Sequence, residues 1–150
     1  MTLHPPCALG ALIFCLSFGL GACTARASGP SVELKGHHFD IEIAADDASR
    51  ERGLMFRDTM PADHGMLFLF ERPTTQTFWM KNTHIPLDIL YFDQNYKLVS
   101  MSQRTPPCRS AGNDCPTYPS SGPAQYVLEL NAGTADKLGV KQGDELKVTR

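Results

Sequence analysis

The run Phe78-Trp79-Met80-Lys81-Asn82 holds the residue types best suited to gripping a ligand. If the run is a strand, alternation puts Trp79 and Lys81 on one side and Phe78, Met80 and Asn82 on the other. An indole beside an ammonium makes a surface that stacks on a sugar ring or holds an anionic group, with Arg52 or Arg57 from a preceding helix as a second cation. The plainer reading is a core tryptophan with the lysine stem lying over it and its charge in water. Asp88 is the odd polar residue in an apolar run and shares a side with Leu90 and Phe92. A buried carboxylate needs partners, and the candidates are the amides and side chains of Asn82-Thr83-His84-Ile85 or the Arg52 guanidinium. Such bonding would pin the turn. The rival role is a general base, with Lys81 or Arg52 stabilising negative charge, which is hydrolase or transferase chemistry.

Other chemistries find less support. The chain has no Gly-x-Ser-x-Gly elbow, phosphate loop or metal-ligand spacing. Methionines 55, 60, 66, 80 and 101 are scattered without a repeated Met-x-Met pattern, so they read as core filling rather than soft-metal ligands. His38, Asp40 and Glu42 fall on one strand face, which solvation explains more simply than half a metal site. No cofactor and no metal is expected.

Location is more legible. Every Lys, Arg, Asp and Glu lies at Arg26 or beyond, and Cys7 to Cys23 is apolar or small apart from Ser17, as a secretory signal requires. Leu20-Gly21-Ala22-Cys23 resembles the lipobox of bacterial lipoproteins, which implies lipidation at Cys23 after cleavage; cleavage after Ala25-Arg26-Ala27 and an uncleaved anchor are the competing readings. Several acyl chains would hold the protein on a bilayer. Cys7 and Cys15 then leave with the signal, so Cys108 and Cys115 remain as a pair in a compartment that permits a disulfide. With 14 Lys plus Arg against 16 Asp plus Glu, the net charge of −2 offers no basic field for nucleic acid.

The elements that must position these groups follow from patterning. Val32 to Ala44 alternates as one strand, with His37, Phe39, Ile41 and Ile43 on its buried side. Asp46 or Asp47 caps a short helix through about Met55, with Gly53 permitting close approach to a sheet. Segments 65–70, 77–82, 86–93 and 96–102 read as an antiparallel meander, with Asp93-Gln94-Asn95 as a hairpin turn. Segments 65–70 and 86–93 are apolar on both faces, which fits a barrel wrapped by other elements. Thr105 to Pro123 holds five of the 11 prolines and reads as a long loop, stapled by Cys108–Cys115 for about 2 to 3 kcal/mol. Tyr126 to Leu130 is a further strand, Asn131 caps a helix ending at Gly139, and Glu145 to Val148 closes the chain.

Arg52-Gly53-Leu54-Met55-Phe56-Arg57, Met60-Pro61, Gly65-Met66-Leu67-Phe68, Phe78-Trp79-Met80-Lys81-Asn82-Thr83, Ile85-Pro86-Leu87-Asp88-Ile89, Tyr126-Val127-Leu128-Glu129-Leu130 and Gly143-Asp144 together resemble the domain-of-unknown-function 192 family. The resemblance covers nearly all of residues 32–150. It implies a compact, mainly β, barrel-like domain with short helices, found in bacteria and archaea and often behind a signal sequence. It implies no activity.

The organisation expected is thus a lipoprotein signal peptide at 1–22, a lipid-anchored tether at 23–31 and a single antiparallel barrel-like domain at 32–150. The function expected is a non-catalytic binding module facing the periplasm, most readily on the outer membrane. Arg52, Trp79, Lys81, Asn82 and Asp88 are its candidate binding residues, and carbohydrate, anion or envelope protein its ligand. The rivals are the Asp88 enzyme and a structural accessory subunit.

Overall fold

The computed structural model describes residues 29–109 and 114–149. The signal segment 1–22, Cys23, the Ala25-Arg26-Ala27 alternative and most of the tether lie outside the described residues. Among those described, no helix is long and apolar enough to cross a membrane.

The chain runs β1 (Ser31–Leu34), β2 (His37–Ala44), α1 (Asp47–Arg52), β3 (His64–Thr74), β4 (Thr77–Trp79), β5 (Leu87–Phe92), β6 (Leu98–Thr105), β7 (Thr117–Pro119), β8 (Ala124–Asn131), α2 (Thr134–Leu138) and β9 (Leu146–Thr149). Seven strands form one sheet in the order β6-β5-β8-β3-β2-β1-β9, and β4 pairs with β7 in a separate ribbon. The large sheet curls until the starts of its two edge strands touch. Main-chain bonds join Leu98 N to Asp144 O, Gly143 N to Leu98 O and Leu146 N to Tyr96 O at 2.8 to 2.9 Å. The result is a mainly β, half-barrel single domain with two short helices.

Both faces of the central strands are buried, and all six residues of β5 are inaccessible. One core draws on all seven strands, from Val32 and Leu34 through Leu67, Leu90 and Leu128 to Leu146, and therefore fills the inside of the curl. A second core lies on the other face, where Leu54, Met80 and Ile85 cover Phe68, Ile89, Tyr91 and Val127. The doubly apolar strands of the sequence thus find a cover on each side, as burial without water demands.

Several expectations need correction. Residues 32–44 are two strands, because Lys35 (φ 55°) and Gly36 (φ 79°) form a tight hairpin turn of left-handed residues. His37 follows that turn and is exposed, not on the buried side. The meander fails as well. Strand β8 inserts between β3 and β5, so of the expected chain of hairpins only β5–β6 forms. One pairing, β2 with β3, is parallel. The strand expected at 77–82 stops at Trp79, and the helix expected to reach Met55 ends at Arg52 with Gly53 in a positive-φ cap. Asn131 pairs with Leu87 inside the ladder, so it is not free to cap α2; Gly133 takes that position. Other expectations hold: Asp46 forms a capping box with Ser49, Gly139 ends α2 in the left-handed region, and Asp93 accepts from the amides of Asn95 and Lys97. Cys108 and Cys115 form a disulfide.

Among the described glycines, Gly65 lies closest to a neighbouring strand. A Cβ there would sit 2.7 Å from the carbonyl oxygen of Glu129 and 2.7 Å from Leu130 Cδ2. Since the ladder cannot yield without breaking the β3–β8 bonds, Gly65→Ala is expected to lower the melting temperature by roughly 5 to 10 °C. Thermal denaturation followed by circular dichroism checks this, and an unchanged melt would show that β3 and β8 are not held at contact distance.

Candidate functional site

The candidate site is built on the outer core from irregular chain. After Trp79 the backbone leaves the β4–β7 ribbon, buries Met80 and turns through Asn82, which takes φ 54°. The Met80 carbonyl accepts from Thr83 N and Cys108 N, each at 3.1 Å, so the disulfide loop fastens this turn from behind. On the other side, α1 is anchored by Arg50, whose guanidinium donates to the carbonyls of Ala45 and Leu69. Past α1 the chain reaches Phe56, also left-handed at φ 63°, and Phe56 N donates to Asn82 O at 2.8 Å. Two non-glycine residues in a costly backbone region thus tie the two loops together, the kind of strain that clusters at functional sites.

Between these loops lies a groove of about 530 Å³, whose wall includes Glu51, Arg52, Met55, Phe56, Trp79, Lys81 and Asn82. Lys81 Nζ stands 5.0 Å from the Trp79 ring centre, within cation–π reach. Phe56 is 62% exposed, the sole large apolar side chain so exposed among the described residues. The structure therefore gathers four of the candidate residues, Arg52, Trp79, Lys81 and Asn82, on one open surface. Of the two cations offered from the preceding segment, Arg52 lines the groove. Arg57 instead forms a two-pronged pair with Glu42 and holds that carboxyl below its ordinary range. His84 turns to Asp58, with Nδ1 2.8 Å from Oδ1.

Asp88 is elsewhere. It is fully buried on the inner face, where Oδ1 accepts from Arg104 N and Oδ2 from Ala135 N, both at 2.8 Å. The expected partners, the 82–85 turn and Arg52, belong to the opposite face. A register shift between Leu87 and Ile89 lies beside Arg104, whose φ of 51° frees its amide from the ladder and lets it reach the carboxylate. Asp88 thus clamps the end of β6 and the start of α2 onto β5. No water or substrate reaches it, which removes the geometric basis for a general base there.

Glu129 is a site residue that the sequence pattern alone does not single out. Alternation along β8 puts it with Val127 on the outer face, while Leu128 and Leu130 enter the inner core. It is 4% exposed, and Oε2 has no hydrogen-bond partner. Burial pushes its carboxyl up to about 8. A cavity of about 30 Å³ lies beside it, bounded by Glu51, Arg52, Gly53, Leu54, Trp79 and Thr83 among others. The available signal was a lone acid in an apolar run, the same signal that drew attention to Asp88.

His38, Asp40 and Glu42 disperse: His38 lies 3.8 Å from Glu33 and Glu42 holds Arg57. Among the described residues no three His, Cys, Asp or Glu side chains group as a metal would need.

The architecture is that of a mainly β half-barrel with an aromatic and cationic groove on its outside. The profile of the domain-of-unknown-function 192 family, described as "Uncharacterized ACR", matches residues 31–148, and the chain belongs to this family. A crystal structure of a protein of unknown function from Novosphingobium aromaticivorans is 37% identical, with a TM-score of 0.70, covering 79% of this chain and 82% of that one. A Sinorhizobium meliloti protein provisionally named a transcription regulator is 38% identical, also with a TM-score of 0.70, covering 79% of this chain and 91% of its own. A comparison with curated proteins finds no match.

Two outcomes follow. Asp88→Ala strands one buried and one part-buried amide at a cost of roughly 2 to 5 kcal/mol, so the melting temperature is expected to fall by about 10 °C, with Asp88→Asn in between. A melt unmoved by Asp88→Ala would refute the clamp. For Glu129, below pH about 4.5 the carboxyl is protonated in folded and unfolded chains alike. Between about 4.5 and 8 only the unfolded chain ionises, so stability falls as pH rises, and above about 8 the loss levels off. Denaturant melts from pH 5 to 8 should show this slope, amounting to a few kcal/mol, and Glu129→Gln should flatten it.

Proposed function

We propose that this protein is a non-catalytic, envelope-anchored binding module whose groove takes a ligand with a flat ring face and a negative group. The observation that carries the reading is the meeting of Arg52, Trp79 and Lys81 around one open groove of about 530 Å³, a size usual for small-molecule sites. The indole supplies a stacking face, and Arg52 and Lys81 against the single acid Glu51 leave the wall net positive, which favours an anion. An exposed aromatic at Phe56, held in left-handed backbone, adds apolar surface at the rim. Anchoring is supported by Leu20-Gly21-Ala22-Cys23 behind an apolar leader, and an oxidising location by the Cys108–Cys115 disulfide. The groove then faces the periplasm, with the outer membrane as its support.

The chain has one tryptophan, so its fluorescence reports on the groove directly. Titration of the purified protein with hexuronic acids, sugar phosphates, sugar sulfates and aromatic carboxylates should change Trp79 emission for at least one class. Lys81→Ala should weaken that binding about five- to thirtyfold while leaving the melting temperature within about 2 °C. Silence across the panel would sink the reading. For the anchor, mass spectrometry of the protein from membranes is expected to find an acylated Cys23 as first residue; an intact leader or an unmodified terminus further on would overturn it.

A further inference from the structure

Glu129 is a buried carboxyl that the fold does not use. The other buried polar side chains are engaged: Asp88 takes two amides, Gln76 donates to Thr74 and Ala124, Thr83 donates to Lys81 O, Thr105 to Ser102 O and Ser120 to Gly122 O. Glu129 Oε2 alone, among the described residues, is buried without a partner. Its ladder neighbours on the same face are Met66 and Ile89, so a leucine would suit the packing better than an acid. A group left this way in a native fold calls for an occupant of the space beside it.

That space adjoins the groove. The cavity beside Glu129 and the groove share Glu51, Arg52, Met55 and Trp79 as wall residues. At about 30 Å³ it admits one or two water-sized groups, so it can take a substituent of a ligand and not the ligand itself. A carboxyl enclosed in this way keeps its proton at neutral pH, so it both donates and accepts, and a hydroxyl is the group that answers both.

We infer that the cavity beside Gly53 and Trp79 is the selective end of the groove. There, Glu129 takes one ring hydroxyl of an acidic carbohydrate whose ring stacks on Trp79 and whose charge meets Arg52 and Lys81. This rests on the groove being the site of a ring-bearing anion, and it names the ligand class. The hydroxyl completes the hydrogen bonding of Glu129, which makes its position on the ring the basis of selection.

Calorimetric titration of the purified protein with methyl glucuronide, methyl galacturonide and their singly deoxygenated analogues tests this. One analogue is expected to bind at least tenfold more weakly than its parent. Glu129→Leu should weaken the parent at least tenfold and abolish the distinction between the two, whereas Glu129→Gln, which still donates and accepts, should stay within about threefold of the unaltered protein. If the parent binds, every analogue binds equally and Glu129→Leu changes nothing, the cavity holds water only and this inference alone falls. If neither uronide binds at millimolar concentration while another anion shifts Trp79 emission, the ligand class is wrong and the groove stands. If nothing in either panel binds, both fall. The deoxy series needs no variant, so a Glu129→Leu protein that fails to fold leaves the test intact.

Discussion

Strand β8 lies between β3 and β5 with apolar side chains on both of its faces, and this double burial governs the rest of the structure. A strand in that position cannot be wetted on either side, so the chain has to supply two covers. The inner one comes cheaply: the sheet curls, its edges join near Leu98 and Leu146, and α2 closes one end. The outer one has no sheet to draw on. It is assembled from α1, the loop after it, the β4–β7 ribbon and the disulfide loop, and irregular pieces of this kind do not tile without gaps. The groove and the cavity beside it are those gaps.

The two interior acids show how one residue of offset changes a role. In the β5–β8 ladder Asp88 stands opposite Leu130, and Ile89 opposite Glu129. Alternation then sends Asp88 inward and Glu129 outward. Inward, the end of a helix and a bulged strand supply two amides, and the carboxylate becomes structural. Outward, it meets Met66, Ile89 and an irregular lid, and its oxygen is left without a donor. Identical signals in the sequence, a single acid in an apolar run, thus lead to opposite hydrogen-bonding outcomes.

This also explains how far the sequence could be read. Composition and alternation revealed the β class, the double burial of 65–70 and 86–93, the Asp46 cap and the pairing of the two late cysteines, because each rests on local chemistry. The groove was legible in part: Trp79 and Lys81 share a side and Arg52 precedes them, and the structure brings them together with Asn82. Strand order was not legible. That β8 crosses between β3 and β5 depends on contacts distant in sequence, and the same long-range pairing supplies the true partners of Asp88. The Lys35-Gly36 turn is legible only as a change of phase, with apolar residues at 32 and 34 before it and at 39, 41 and 43 after it, which a single strand would not show. Glu129 stands within Tyr126-Val127-Leu128-Glu129-Leu130, but nothing local distinguishes an acid with donors from one without.

The one parallel seam, β2 beside β3, has its own implication. Parallel neighbours cannot be joined by a tight turn, so residues 45–63 must travel over the outside of the sheet and return. That overpass is the stretch that carries α1, Arg52 and Phe56. It is fastened at points along its length, by Arg50 to the carbonyls of Ala45 and Leu69, by buried Leu54, by Phe56 N to Asn82 O and by Arg57 to Glu42, and between these points its exposed side chains form the rim of the groove. The topology thereby lets exposed side chains on the overpass vary around the groove while its fastened points keep the outer core covered.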